Sequence, residues 1–285
     1  MNGQSCGSES MASDLRGSCA IGVMAKAPRP GHSKTRLCPP LRPEQAAQLS
    51  AAFLRDTTES VAAAALSAPI VGYAAYAPFG TEEALVPHLA LGTSCVLADG
   101  SMPAPQGVEG FGRCLLHAIH QLFAAGHTAA CVLSSDTPTL PTDILFSAAT
   151  ALLTGDERRV VMGACDDGGY YLLGMRLPHA RLFTDIAWSS SSVAATTRTR
   201  AAALGLDLVA LPLWYDIDDA AALERLVREN DGYAAPWTRR ALSTLALDTF
   251  TSSPSPHEGC GAGRQPSSDN LQKIEKDTTC PLQLS

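Results

Sequence analysis

Short apolar runs alternate with amphipathic stretches along most of this chain. Cys19 to Ala25, CAIGVMA, has the length and composition of a buried strand. Ile70 to Tyr76, Ser94 to Leu97, Cys131 to Ser134, Arg159 to Ala164 and Asp207 to Leu211 repeat the pattern. Helical periodicity fills the intervals. It runs from Glu44 to about Leu66, with Pro43 in the first turn, and from Arg113 to Ala125, ended by Gly126. It returns over Thr142 to Leu153, over Ala194 to Leu204 with Gly205 as the stop, and over Ala220 to Glu229. Glu82 to about Leu89 reads as a short helix. Tyr170 to Met175 follows the fifth strand across Asp166-Asp167-Gly168-Gly169, which predicts a hairpin or a sharp bend. Strands alternating with helices at this rhythm imply an α/β domain whose mostly parallel sheet carries helices on both faces.

The pattern stops beyond Leu247, where Ser, Pro, Thr and Gly dominate. Residues 1–18 lack an apolar core of the secretory type. We therefore expect a disordered leader over 1–18, a single domain over 19–247 and a disordered tail over 248–285.

Composition adds constraints. The chain has 285 residues, a net charge of −7 and no Lys/Arg-rich block, which argues against a nucleic-acid partner. No apolar run approaches the roughly 20 residues that span a bilayer, so no membrane role is expected. The nine cysteines are widely spaced and form no CxxC pair, which fits reduced thiols in the cytoplasm better than disulfides or zinc. No G-x-G-x-x-G follows the first strand and no G-x-S-x-G occurs, so dinucleotide oxidoreductases and serine hydrolases have little support.

Candidate chemistry gathers just after the strands, where open α/β sheets bind ligands. After the first, Lys26, Arg29, Lys34 and Arg36 sit in a Gly/Pro loop leading to a helix, a composition suited to an oligophosphate. The loop lacks Walker A order, because His32 and Ser33 separate Gly31 from Lys34. After the fourth, Ser134-Ser135 leads to Asp136, which could hold a divalent cation or cap the helix near Thr142. After the last come Asp216, Asp218 and Asp219, whose carboxylates could join Asp136 on one Mg²⁺ or cap the following helix. In the Asp166–Gly169 bend, Asp167 could bind sugar hydroxyls or orient a nucleophile, and the glycines permit close approach; a plain turn explains them as well. Trp188-Ser189-Ser190 could line a pocket, or Trp188 could belong to the core.

The segments MAKAPRPGHSKTRL (24–37), SSDTPTLP (134–141), DDGGYYLLGM (166–175), LFTDIAWSS (182–190) and LGLDLVALPLWYDIDD (204–219), in this order, resemble a known family. It is the group of bacterial-type, glycosyltransferase-like nucleotide-diphospho-sugar transferases, some associated with arsenosugar biosynthesis. The likeness extends over about Ala20 to Glu229. It implies a Rossmann-like GT-A fold, similar to that of the phospholactate and molybdenum-cofactor guanylyltransferases, and a Mg²⁺ or Mn²⁺ cofactor. It also implies that Lys26, Arg29, Lys34, Arg36 and Ser135 hold the nucleotide diphosphate and that Asp136 and Asp218 bind the metal. Asp136 and Asp167 would be the catalytic carboxylates, with Gly168, Gly169, Tyr170, Trp188 and Ser189 bordering the sugar or acceptor.

The chain departs from the family where Asp219 replaces a threonine and Ala220-Ala221-Ala222 replaces Pro-Glu-Asp, so Asp216 stays open as an alternative ligand. The expected activity is transfer of a sugar from a nucleotide-diphospho-sugar to a small acceptor. The alternatives are nucleotidyl transfer from an NTP with pyrophosphate release, and a non-catalytic nucleotide-binding protein.

Overall fold

The computed structural model describes residues 15–229 and 231–250. Of the leader expected over 1–18 and the tail expected over 248–285, residues 1–14 and 251–285 lie outside the described residues, and 248–250 end a helix.

Seven strands form one sheet: β1 (Cys19–Ala25), β2 (Ile70–Tyr76), β3 (Ser94–Leu97), β4 (Ala129–Ser134), β5 (Arg159–Ala164), β6 (Tyr170–Met175) and β7 (Asp207–Ala210). Their order is β3-β2-β1-β4-β6-β5-β7. β1, the first apolar run, is buried throughout and pairs in parallel with β2 on one side and β4 on the other. Only β6 runs antiparallel, between β4 and β5, and the DDGG turn feeds it. The bend expected at this turn is therefore a hairpin.

The helices are α1 (Pro43–Ala64), α2 (Glu82–Leu85), α3 (Phe111–Ala124), α4 (Thr142–Thr154), α5 (Val193–Ala203), α6 (Ala220–Arg228) and α7 (Pro236–Phe250). Alternate side chains of the strands feed opposite faces of the sheet, as the period of 2 requires. On one face Ile21, Val23, Cys131 and Leu133 pack with α1 and α4 through Leu54, Val61, Leu145 and Leu152. On the other, Ala20, Ala130 and Val132 pack with α3 through Leu115, Ile119 and Leu122.

α7 does not stand out in the sequence pattern. Asp56, fully buried on α1, accepts the Trp237 amide at 3.1 Å and the Thr238 amide at 2.6 Å. One carboxylate thus caps a helix that begins 180 positions later, which no local pattern announces. Among the described residues no helix is long and apolar enough to cross a membrane, and the six described cysteines are free thiols.

The topology matters for the site. β1, β4, β5 and β7 are parallel, so the loops after them leave from the same edge of the sheet. β6 starts at that edge because it runs the other way.

Candidate active site at the carboxyl edge of the sheet

The chain beyond β7 closes the edge. Leu211 and Trp214 donate their amides to Met162 and Ala164 of β5, and the Ile217 amide reaches the Asp136 carbonyl at 2.9 Å. The segment is extended here, so its side chains alternate. Tyr215 and Ile217 are buried in a third apolar cluster with Leu37, Leu49, Phe53 and Leu223. Asp216 and Asp218 therefore turn to the other side and line a cleft of about 540 Å³. The signal for this was the alternation Tyr-Asp-Ile-Asp itself.

Asp219 is spent on structure. Its Oδ1 accepts the Ala222 amide at 2.9 Å and caps α6. Asp136 caps nothing, since α4 has Pro141 at its N-cap without a side-chain bond. Instead its carboxylate lies 2.9 Å from the Lys34 ammonium, which also meets Asp218 Oδ1 and the Ile217 carbonyl, each at 2.7 Å. All three ammonium protons thus have acceptors. Lys34 arrives through a turn in which the Arg29 carbonyl accepts the amides of His32 and Ser33, followed by a 3₁₀ turn anchored by buried Leu37.

The electrostatics follow from burial. Burial disfavours the Lys34 ammonium, but Asp136 and Asp218 outweigh it and hold the pKa above the usual lysine value. Asp218 is pushed up to about 6, first by burial; Lys34 pulls it down and Asp136 pushes it up. The two partners thus shift the same way. The ion pair favours both charges, yet for Asp218 desolvation and a second carboxylate win. Asp216 is pushed up to about 8 by burial and then by Asp218, Asp167 and Asp136, with Lys34 opposing.

This carboxylate-rich edge fits a divalent cation. Asp218 Oδ1 is taken by Lys34, while Oδ2 is buried and accepts no hydrogen bond. A second grouping lies beside it: one ligand atom each of Cys165, Asp167 and Asp216 lie within 4.8 Å of one another. Carboxylate oxygens suit Mg²⁺ or Mn²⁺. The buried Cys165 thiol is held protonated by burial and by its acidic neighbours, so it is a poor hard-metal ligand.

The other residues expected at the site divide. Arg36 lines the cleft, as do Asp167 and Ser189. Asp167 Oδ1 accepts the Gly169 amide at 2.8 Å, and Gly168, at φ +94°, lies against the Ser191 backbone and accepts the Ala194 amide. The two glycines thus shape the turn and seat the serine segment. Lys26 is half-buried and Arg29 exposed, and neither lines the cleft. Ser135 points its hydroxyl at Asp136 Oδ1, 3.3 Å away.

Tyr170 and Trp188, expected to border the sugar or acceptor, pack instead into the apolar layer beside α3. Trp188 meets Phe111 edge-on at 5.5 Å and covers Gly112; burial raises the Tyr170 phenol well above its usual value. Burial of large aromatic area outweighs display of the ring in a polar cleft. Arg225 and Tyr215 were not foreseen there. The Arg225 guanidinium lies 3.8 Å from the Tyr215 ring centre and 2.8 Å from Asp166.

Residues 57–190 match the family DUF2064, described as uncharacterized proteins conserved in bacteria. A solved protein of Desulfovibrio desulfuricans G20, assigned as a nucleotide-diphospho-sugar transferase, superposes with a TM-score of 0.65 at 24% identity, covering 82% of this chain and 98% of its own. The fold is GT-A-like. Two further structures show weaker likeness. A nucleotidyl transferase of Methanothermobacter thermautotroptrophicus has a TM-score of 0.46 at 16% identity, over 81% and 99% of the two chains. Glucosyl-3-phosphoglycerate synthase of Mycobacterium tuberculosis, in complex with Mn²⁺, UDP and glucosyl-3-phosphoglycerate, has a TM-score of 0.43 at 12% identity, over 87% and 85%. No curated protein sequence matches the chain. The motif resemblance and the GT-A-like fold agree.

Proposed function

We propose that the protein is a divalent-metal-dependent glycosyltransferase that takes a nucleotide-diphospho-sugar and a small acceptor in the cleft at the carboxyl edge. The observation that carries this reading is the convergence of Asp136, Asp216 and Asp218 with Lys34. Separate loops after β1, β4 and β7 bring them together beside a cleft lined by Arg36 and Ser189.

Asp218, through its bare Oδ2, would hold Mg²⁺ or Mn²⁺ with Asp136, and Asp216 is the alternative partner. When bound, the ion neutralises charge that develops on the departing diphosphate. Arg36 and Lys34 add positive charge for the phosphates, while Lys26, Arg29 and Ser135 shape the loops beneath them. Asp167 keeps one oxygen on the Gly169 amide. Its other oxygen orients the acceptor hydroxyl and accepts the proton. The acceptor oxygen bonds to the anomeric carbon, the bond from that carbon to the diphosphate breaks, and nucleoside diphosphate leaves. Gly168, Gly169 and Ser189 border the acceptor. A cytoplasmic setting, with thiols reduced, belongs to the same proposal.

Thermal shifts and product analysis test it. The full chain is heated with UDP-, GDP- and TDP-sugars and with CTP and GTP, with and without Mn²⁺. The reading expects stabilisation by a sugar nucleotide only with Mn²⁺, and release of the nucleoside diphosphate on adding an acceptor mixture. Stabilisation by an NTP alone, with pyrophosphate released on adding a phosphorylated acid, would replace glycosyl by nucleotidyl transfer. Failure of every nucleotide to bind would overturn both.

A further inference from the structure

Resting on that reading, we infer that Lys34 is an internal cation competing with the divalent metal for Asp136 and Asp218, so that metal entry drives its ammonium from the carboxylates onto the substrate's phosphates. The acidic edge is not an open trap. It is already bridged by one positive charge, with all three ammonium bonds satisfied and the Lys34 side chain only 7% exposed.

Two observations and a charge balance support exchange rather than a permanent strut. First, the bare oxygen of Asp218 belongs to the same carboxyl group that holds Lys34. A divalent ion on Oδ2 would stand one carboxyl width from the ammonium, and the two cations would repel strongly in a buried site. Second, removal of Lys34 exposes no new unbalanced charge once the metal is present, because two carboxylates match a divalent ion. Third, Lys34 is held in the left-handed region, at φ 50° and ψ 44°, which non-glycine residues adopt rarely. The three ammonium bonds offset that cost, and the residue after Lys34, Thr35, is exposed, as is Arg36. A lysine, unlike a metal, can pivot on its four-carbon stem from one anion to another.

The consequence is coupling. Metal alone binds weakly because it must evict Lys34 into water. Metal with nucleotide binds well, because the phosphates receive the evicted charge. Each ligand then raises the affinity of the other, as linkage requires.

The test uses Mn²⁺ binding by the full-length protein, followed through the electron-spin signal of free Mn²⁺, and amine acylation at Lys34 read by mass spectrometry. Lys34→Met should bind Mn²⁺ alone about tenfold tighter or more than the wild type, because no cation need be displaced. In the wild type, Lys34 should resist acylation without ligands, react faster once Mn²⁺ is added, and become protected again when Mn²⁺ and the nucleotide found in the panel above are both present. Unchanged or weaker Mn²⁺ binding in a folded Lys34→Met variant would overturn the inference. So would acylation of wild-type Lys34 that ignores Mn²⁺, a readout that stands even if the variant fails to fold. The outcomes separate from those of the proposed function. Nucleotide binding with a metal-indifferent Lys34 sinks only the exchange. Exposure of Lys34 by Mn²⁺ in a protein that binds no nucleotide sinks only the proposed function.

Discussion

Asp219 accepts the Ala222 amide at 2.9 Å, while its neighbour Asp218 faces Lys34 and leaves its second oxygen bare. Two adjacent carboxylates are thus divided between holding a helix and building a site. Asp219→Ala should cost about 0.5–2 kcal/mol of stability through loss of the cap. It should leave Mn²⁺ affinity nearly unchanged. Chemical denaturation beside a metal titration checks both halves. A large loss of metal affinity without loss of stability would assign Asp219 to the site.

Asp216 carries the clearest pH signature. Its folded carboxyl titrates near 8, above the ordinary value of 3.8. Between those values the folded state binds more protons than the unfolded state, so the group's effect on stability worsens as pH rises through that window. Asp216→Asn should therefore be more stable than the wild type above about pH 8, by on the order of a few kcal/mol, with the gap closing toward pH 4. Asp218, raised to about 6, bends the same curve in its lower part. Metal-free denaturation across this range is the measurement, and a gap that widens on acidification would contradict the assignment.

Gly168 couples the hairpin turn to the serine segment. At φ +94° a side chain is strained, and a Cβ there would overlap the Ser191 carbonyl. Gly168→Ala should lower stability by about 1–3 kcal/mol and push Ser189 to Ser191 out of the cleft, weakening nucleotide or acceptor binding. A thermal melt combined with ligand titration reads both effects.

Asp56 ties α7 to α1 through two amide bonds on a carboxylate that burial raises above its usual pKa. Asp56→Ala leaves those amides without an acceptor and should cost about 1–3 kcal/mol. Hydrogen exchange at Trp237 and Thr238 should accelerate first. Uniform exchange across the fold would show that the cap acts globally.

Much of this fold was legible from pattern because its strands are short, apolar and bounded by turn residues. Ile70–Tyr76, Ser94–Leu97, Arg159–Ala164 and Tyr170–Met175 fall where the runs placed them. The longer helices' ends shifted by one or two residues, and the short helix expected over Glu82 to about Leu89 stops at Leu85 and passes into a 3₁₀ turn over Val86–His88. α7 was not legible, since its cap comes from Asp56 across the chain. The site divides in the same way. That the loops after β1, β4 and β7 share one edge follows from a parallel sheet. That Tyr170 and Trp188 prefer the apolar layer does not follow from their motifs, because it depends on distant packing, for Trp188 on the space that Gly112 leaves. Nor did charge counting reveal that Lys34 would lie between the two carboxylates. That depends on Leu37 and the 3₁₀ turn anchoring the basic loop against α1 and α6.

In the proposed reaction Asp218 is the meeting point of metal and nucleotide. Mn²⁺ titration of the wild type and of Asp218→Asn, each with the nucleotide that stabilises the wild type, tests it most directly. The wild type should bind Mn²⁺ in the presence of the nucleotide, and the variant should lose on the order of a hundredfold in affinity while keeping its fold. Equal Mn²⁺ affinity in the two proteins would contradict a metal site at this edge of the sheet.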